Sequence, residues 1–598
     1  MKIEYLDGNR FLKAFKNGAE LVSARKHHLN EINLFPIPDS DTGNNMSFTL
    51  KTTALKVNPD TSIYNILKSI SDNAVESARG NSGLILAQFF SGLFEKINKK
   101  KKINTKDFGK AVKATVPYLY NNIDNPQEGT MLSVIRDWSE KMNEYGEDID
   151  DFILLFNKSM ETALNSLEDT KNQLEILRKN NTVDAGAQGF IYFLEGMIDY
   201  WMNPEHTKMD LAELTEDDVI EEEEMAVSPE KLEYRYCTEV FMVTDKSSAK
   251  IRKILHNKGD SLIVASSSKK MRIHIHTDKP DYIVSILRDK GQIIEQKVDD
   301  MQRQSEVVYN KKNEIALVTD SIADLPQNIL DKYQIHVIPL NLVIDGVNFL
   351  DKLTISSDYF YNYVEEAENF PSSSQPTVNY IYKKLKELVK HYESILIISV
   401  SEALSGTAKA FREANKKIKK EMENDIDISF IDSKLNSGAQ GLLVQKAAEL
   451  IDKGFNISEI TSKIKDYRTN SNIFVNVNTI DYMIQGGRIS PMKGFFARLF
   501  NLKPIISLDE NGEGIIWGKA FSRKSVNKKI LNQIKEVKES NKLEKYNVVH
   551  ADAEEMAEDL AAKIEKIVGY GPEYIMNISS ITALNSGKDA VAVSYLAG

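Results

Sequence analysis

The sequence predicts a multidomain fold: an all-α helical domain, a small α/β middle domain, and an α/β two-lobed module. Three observations predict it. Residues 1–205 carry apolar side chains at three- and four-residue spacing, as in segments 11–24, 63–78 and 152–167. Residues 206–230 hold Asp217, Asp218 and four successive glutamates at 221–224, too polar a stretch to bury a core. After residue 231, short β-branched runs alternate with helical segments, the pattern of α/β units.

The elements follow in order. Residues 1–205 read as helix after helix, with few β-branched runs bounded by turns. The acidic stretch reads as a tether that permits domain movement, or as a plain spacer. In residues 231–310, segments 240–243 and 261–265 are buried strands, and 271–276 alternates between two faces. In residues 313–598, strands at 315–318, 395–400 and 426–431 are separated by helices at 380–389 and 438–451.

Composition narrows the function. The 598 residues fit three or four domains of about 150 residues each. Lys and Arg total 76 against 87 Asp and Glu, so the net charge of −11 has the wrong sign for a nucleic-acid partner. A single cysteine excludes an intrachain disulfide and fits a reducing compartment. No signal-peptide core opens the chain, and no run approaches about 18 apolar residues. A cytoplasmic protein is expected.

The segment Asn30-Glu31-Ile32-Asn33-Leu34-Phe35-Pro36-Ile37-Pro38-Asp39-Ser40-Asp41-Thr42-Gly43-Asn44-Asn45-Met46 is the most informative. Two prolines stiffen the approach to two carboxylates one residue apart. Hard oxygen ligands so placed suit Mg²⁺, which takes one or two carboxylates plus nucleotide phosphates. The same residue types also build a turn and a helix cap, and spacing leaves both open. Arg79-Gly80-Asn81-Ser82-Gly83 precedes an apolar helix, where glycine backbone and free N–H groups can approach phosphate. Two more glycine turns lie at 128–131 and 183–189.

These four segments together resemble the DhaL-type nucleotide-binding domain of dihydroxyacetone kinases and bacterial fatty acid kinase. The pattern around Asp39 and Asp41 is similar to the fatty acid kinase branch. The resemblance implies an eight-helix barrel that binds ATP at one end with two Mg²⁺, and a homodimer formed through this domain. It implies that Asp39 and Asp41 hold the metals beside Asn33. Thr42, Asn45, Asn81, Ser82 and Gly83 would then meet phosphate, while Thr130, Asp184 and Gly186 line the rest of the nucleotide site. Ser40 stands where that family usually has glycine.

In the middle domain, Cys237 opens a strand, and His274 and His276 flank Ile275 on another. Alternation puts both imidazoles on one face. One thiolate and two imidazoles are three zinc ligands; the alternative is a small core cysteine with a surface histidine pair. The segment resembles the central domain of fatty acid kinase, which implies a zinc site at Cys237, His274 and His276. The other histidines, His550 among them, have no ligand-like spacing.

In the last module, hydroxyl-rich segments at 319–321, 372–377, 399–407 and 485–490 are expected at strand-to-loop junctions, where they can bind a carboxylate without a buried protein charge. They also suit helix caps. Arg488, between glycines and Ser490, can clamp a phosphate or carboxylate. The ensemble resembles DegV-type fatty-acid-binding proteins. That implies an acyl chain in an apolar tunnel, its head group held by Ser373, Ser374 and Ser405 with Gly406 and Thr407, and Arg488 facing the kinase domain. Asn585 stands where the family has histidine, and asparagine can still donate a hydrogen bond. The basic aromatic segment 492–500 either touches a membrane during lipid loading or packs in the core.

The expected function is a fatty acid kinase with both parts on one chain, making acyl phosphate from ATP and a fatty acid for phospholipid synthesis. Acyltransferases at the inner membrane surface would take the product. A lipid-binding regulatory protein whose nucleotide domain does not turn over, and a small-polyol kinase, are the alternatives.

Overall fold

The computed structural model describes residues 2–34, 41–204, 232–421, 426–488, 503–540 and 542–598. The acidic stretch 206–230, the segment 492–500, and Asp39 with Ser40 lie outside the described residues. The chain divides into two compact units, residues 1–305 and 306–598.

In the first unit, eight long helices are described up to residue 202: Gly8–Ala24, Thr42–Lys56, Ile63–Ser77, Gly80–Lys96, Thr105–Asn121, Met131–Gly146, Phe152–Gln173 and Ala185–Met202. Short helices at Lys26–Glu31 and Glu175–Asn180 join them. Capping side chains mark several starts: Asp7, Ser62, Asn104, Thr130, Asp151 and Asp184 each accept a backbone N–H of the turn that follows. A small antiparallel pair, Tyr5–Asp7 with Lys102–Asn104, was not foreseen; three residues are too short for a readable alternation. Rings fill the interior, with Phe89, Phe190 and Trp138 meeting edge to face or tilted. The first and last of the long helices touch at glycines, since a Cβ on Gly196 would lie 2.7 Å from Gly18 Cα.

The middle domain belongs to the same unit. Its antiparallel sheet runs in the order Asp260–Ser267, Lys270–Thr277, Tyr236–Val243, Gln292–Asp300. The strand Lys270–Thr277 is buried on both faces rather than alternating between core and solvent. One face, with Ile273 and Ile275, is apolar. The other carries Arg272, His274 and His276 opposite Phe241, Glu239 and Cys237. Ile263 and Ala265 pack into the core of the helical domain from the neighbouring strand. Polar groups fix the seam: Gln88 Nε2 donates to the carbonyls of Asn122 and Val264 at 3.2 and 3.1 Å, and Ser71 bonds Ser267 at 2.6 Å.

In the second unit, a parallel sheet runs Asp427–Asp432, Ser394–Ser399, Ile315–Asp320, His336–Ile338, as expected of the buried runs there. A second sheet has six strands: Gly514–Ala520, Lys503–Leu508, Asn472–Asn476, Val591–Ala597, Leu543–His550 and Ile575–Asn577. All its pairings but the last are antiparallel, which strand-helix alternation does not announce. Val591–Ala597 is buried throughout, so no polar face betrays its neighbours. Ser372–Ser374 is a strand itself, at the edge of a three-stranded sheet.

Gln88→Leu removes the donor shared by two buried carbonyls and leaves the shape nearly intact. It should destabilise the first unit by about 1–3 kcal/mol, read as a lower urea midpoint followed by hydrogen exchange in residues 84–93 and 260–267. An unchanged midpoint would show that the seam contributes nothing.

Candidate functional site

Three constellations were expected, and the first gathers where two helices of the helical domain, Thr42–Lys56 and Gly80–Lys96, begin. Asp41 precedes the helix Thr42–Lys56, and Asn45 Nδ2 donates to its Oδ2 at 2.7 Å. Thr42 and Ser82 bring their hydroxyls within 3.3 Å of each other across two helices. Asn30, which spacing did not single out, accepts the Gly43 N–H at 2.8 Å and sets where the helix begins. Arg79 gives no side-chain cap to the helix Gly80–Lys96. Gly80 has φ +54°, a left-handed conformation that glycine adopts without strain, and a Cβ there would sit 2.2 Å from Asn45 Nδ2. Asn81 Oδ1 is buried with no hydrogen-bond partner among the described residues. A buried amide oxygen with no partner, next in sequence to Ser82, suits a polar ligand or cation.

Asn33 is buried nearby in sequence. Thr130, Asp184 and Gly186 form one cluster. Thr130 caps the helix Met131–Gly146, and Asp184 Oδ1 accepts from Met131 N at 3.1 Å and Ala187 N at 2.7 Å. Gly186 fits against Asp184 and Met131. These side chains therefore do structural work as caps.

The second constellation is in the middle sheet. One ligand atom from each of Cys237, His274 and His276 lies within 4.8 Å of the others. The two Nε2 atoms are 3.2 Å apart, close to the ~3.3 Å expected of two nitrogens about 2.0–2.1 Å from one tetrahedral ion. Each ring has its own carboxylate on the far nitrogen: His274 Nδ1 meets Glu239 Oε1 at 3.3 Å, and His276 Nδ1 meets Asp260 at 3.1 Å. Carboxylates placed so hold a metal-binding ring in one orientation. The residues present fit zinc. Burial pushes the Glu239 carboxyl up, but the bond and charge of His274, with Lys297 and Arg272, outweigh it and bring it to about 2. Glu239 belongs to the Tyr-Cys-Thr-Glu run that opens this strand, but nothing in its spacing assigned it a role.

The third constellation lines a cavity of about 450 Å³ in the second unit, within the range of small-molecule sites. Its walls are largely apolar, including Ile322, Leu340, Val400, Val475, Ile506 and Val549. Ser373, Ser374, Ser405, Gly406, Arg488 and Asn585 all line it, with Gln375 and His550 in addition. Thr407 does not; it is fully buried behind Ser405, whose hydroxyl it meets at 2.8 Å. Arg488 follows the short helix Asp481–Gln485 rather than a strand. Its guanidinium reaches the Gly486 carbonyl and lies 3.5 Å from Ser373 Oγ. No carboxylate among the described residues pairs with it, and burial lowers its pKa. A half-buried cation without a counter-charge is costly unless a ligand supplies the anion. Asn585 Nδ2 donates to the Ile581 carbonyl at 2.8 Å, and its Oδ1 is buried with no partner among the described residues. His550 Nδ1 accepts from Ala553 N at 3.2 Å, which leaves the ring proton on Nε2. Only the fold could bring this histidine to the cavity.

Three family models match the chain in tandem: the DAK2 domain over residues 36–199, the middle domain of fatty acid kinase-like proteins over 233–308, and the DegV family of uncharacterised proteins over 314–598. The chain therefore joins these three domains in one polypeptide. An uncharacterized protein of Staphylococcus saprophyticus is 30% identical over 322 residues, 52% of this chain and 58% of that protein. Protein YloV of Bacillus subtilis is 30% identical over 328 residues, 53% and 59% of the two chains. The chain spans about three fifths of the length of the curated relatives it matches. Among solved structures, DegV of Bacillus subtilis, a fatty acid binding protein, is 25% identical with a TM-score of 0.44, covering 48% of this chain and 100% of its own. Among the described residues, no helix is long and apolar enough to cross a membrane.

Burial raises the Asp184 carboxyl to about 6, against the two N–H donors that lower it. A carboxyl raised on folding stabilises fully below about pH 4, and that contribution is lost as the pH rises through about 6. Asp184→Asn keeps an acceptor and removes the charge. Measured against wild type by thermal unfolding, the variant should gain stability as pH climbs from about 4 to about 7 and gain no more above it. A difference that is flat across that window would contradict the assignment.

Proposed function

We propose that this chain is a fatty acid kinase that carries its own acyl donor domain, converting ATP and a bound fatty acid to ADP and acyl phosphate for phospholipid synthesis. The observation that carries the reading is Arg488, with no carboxylate partner among the described residues, in an apolar, hydroxyl-edged cavity on the same polypeptide as a DAK2 domain and a fatty acid kinase-type middle domain. An apolar tail with one anionic end satisfies both the walls and the cation. On this reading the functional divisions are residues 1–205, 231–310 and 313–598, with 206–230 joining the first two within one compact unit. A homodimer through the first domain and acyltransferases at the inner membrane face remain the partners this reading calls for.

The chemistry asks for charge management rather than a general base. A carboxylate with a pKa of roughly 4 to 5 is ionised at neutral pH, so its oxygen attacks the γ-phosphorus directly and ADP leaves with no proton transfer. Mg²⁺ held by Asp41, and by Asp39, would neutralise the phosphate oxygens and so permit one anion to approach another. Asn45 keeps the Asp41 carboxylate in place. The Thr42 and Ser82 hydroxyls, with the N–H groups that follow Gly80 in the first turn of the helix Gly80–Lys96, would hold phosphate. Arg488 and Ser373 would hold the acyl head group, Ser374, Ser405 and Gly406 completing its surround. Zinc at Cys237, His274 and His276 would brace the middle sheet.

Asn585 favours a second reading. Its amide is turned to Ile581, so it offers the cavity no charge and an acceptor where the resembling family has a histidine. A carrier that holds lipid without turnover would tolerate this. The two readings separate on ATP consumption with lipid bound.

Asp41→Ala should cut acyl phosphate formation by about 10²-fold or more while lipid still co-purifies. Hydroxamate trapping with ATP, Mg²⁺ and oleate reads the first, and mass spectrometry of extracted lipid the second. Full activity in the variant would refute the assignment of Asp41. Arg488→Ala should lose bound fatty acid from the purified protein; undiminished lipid would show that the cation does not meet the head group.

A further inference from the structure

Glu239 does more than face a ligand ring. Its Oε1 also accepts the Gly80 N–H at 3.0 Å, and its side chain is 6% exposed. Arg272, on the same sheet face, stands 3.6 Å from Oε2 and donates to the carbonyls of Val75 and Glu76 at 3.3 and 2.6 Å. Those carbonyls end the helix Ile63–Ser77, which leads directly into the Arg79–Gly80 turn. Gly80 in turn packs against Asn45, and Asn45 bonds Asp41. A continuous line of contacts thus runs from His274 through Glu239, Gly80 and Asn45 to Asp41.

We propose that Glu239 is a positioning residue that couples cation occupancy at Cys237, His274 and His276 to the conformation of the 79–83 loop, so that zinc and nucleotide each favour the other's binding. The nucleotide half rests on the reading given above. A cation on His274 Nε2 fixes the ring and commits its Nδ1–H to Glu239. The carboxylate is then held where it meets Gly80, a residue in a left-handed conformation at the mouth of a helix. Without the cation, His274 can turn or present its other tautomer, and Oε1 loses one of its two anchors. Because such coupling is an equilibrium property, it must act in both directions.

The test uses the full-length protein, stripped of metal with a chelator and reloaded with Zn²⁺ alone. Hydrogen exchange of peptides covering 79–84 should slow by about fivefold or more on zinc loading. In Glu239→Gln at saturating zinc, with occupancy checked by metal analysis, that slowing should vanish. The affinity for MgADP should rise by a similar factor with zinc in wild type and not in the variant. Zinc that binds wild type without changing exchange at 79–84 would overturn the proposal, as would an equal change in Glu239→Gln. The wild-type comparison needs no variant, so a variant that fails to fold leaves it decisive. The exchange arm needs no nucleotide, so MgADP that binds in neither state would sink the nucleotide reading while exchange still decides the coupling.

Discussion

A carboxylate buried between a β-sheet and a helix terminus constrains the whole first unit. Glu239 is removed from water, and its hydration is replaced by a ring N–H, a backbone N–H and a guanidinium. None of these partners lies on the same element as Glu239. Two come from the neighbouring strand, and one from the helical domain. A charge so placed is tolerable only while all of them stay in register. Sheet and helices are therefore not two modules lightly touching. The polar face that holds the thiol and imidazoles is also the face that closes over the turn at Gly80, and the apolar residues Ile263 and Ala265 secure the same seam from the next strand.

The second unit presents the opposite condition. Its charged group, Arg488, is half-buried but lacks a carboxylate partner among the described residues. Buried carboxylates exist in the same unit, yet they serve the scaffold. Asp320 accepts from Val400 N and Gln440, and Asp351 from Ser321, and burial raises both to about 6. The fold thus supplies buried acids where they tie loops together and, among the described residues, none where the cavity meets its cation. That asymmetry is what makes an anionic ligand the natural completion of the cavity.

Much of this was legible from residue order because short-range chemistry wrote it. Helix periodicity, the acidic break and the buried strands of the parallel sheet are local patterns. His274 and His276 share a face because strand alternation puts them there, and Cys237 joins them through the pairing of its strand with theirs. The roles of Glu239, Asn30 and His550 were not legible, since each acquires its role from a partner at least 13 residues away in sequence or from a cavity lined by strands of more than one sheet. Thr407 illustrates the converse. Its place in a Ser-Gly-Thr motif suggested a ligand contact, but helix geometry turns it inward behind Ser405. The caps at Thr130 and Asp184 show why hydroxyl and carboxylate motifs stay ambiguous: the same atoms that suit phosphate or metal also satisfy the first N–H groups of a helix.

On the proposed reading, joining a nucleotide domain and an acyl-binding domain in one chain changes the demand on each. When a carrier must find its kinase by diffusion, affinity between the two has to be built into a surface. On one polypeptide the encounter is intramolecular, which raises the effective concentration of one domain at the other. On the proposed reading, less affinity then needs to be built into a docking surface, and the head-group pocket can hold its ligand without having to protect it in transit.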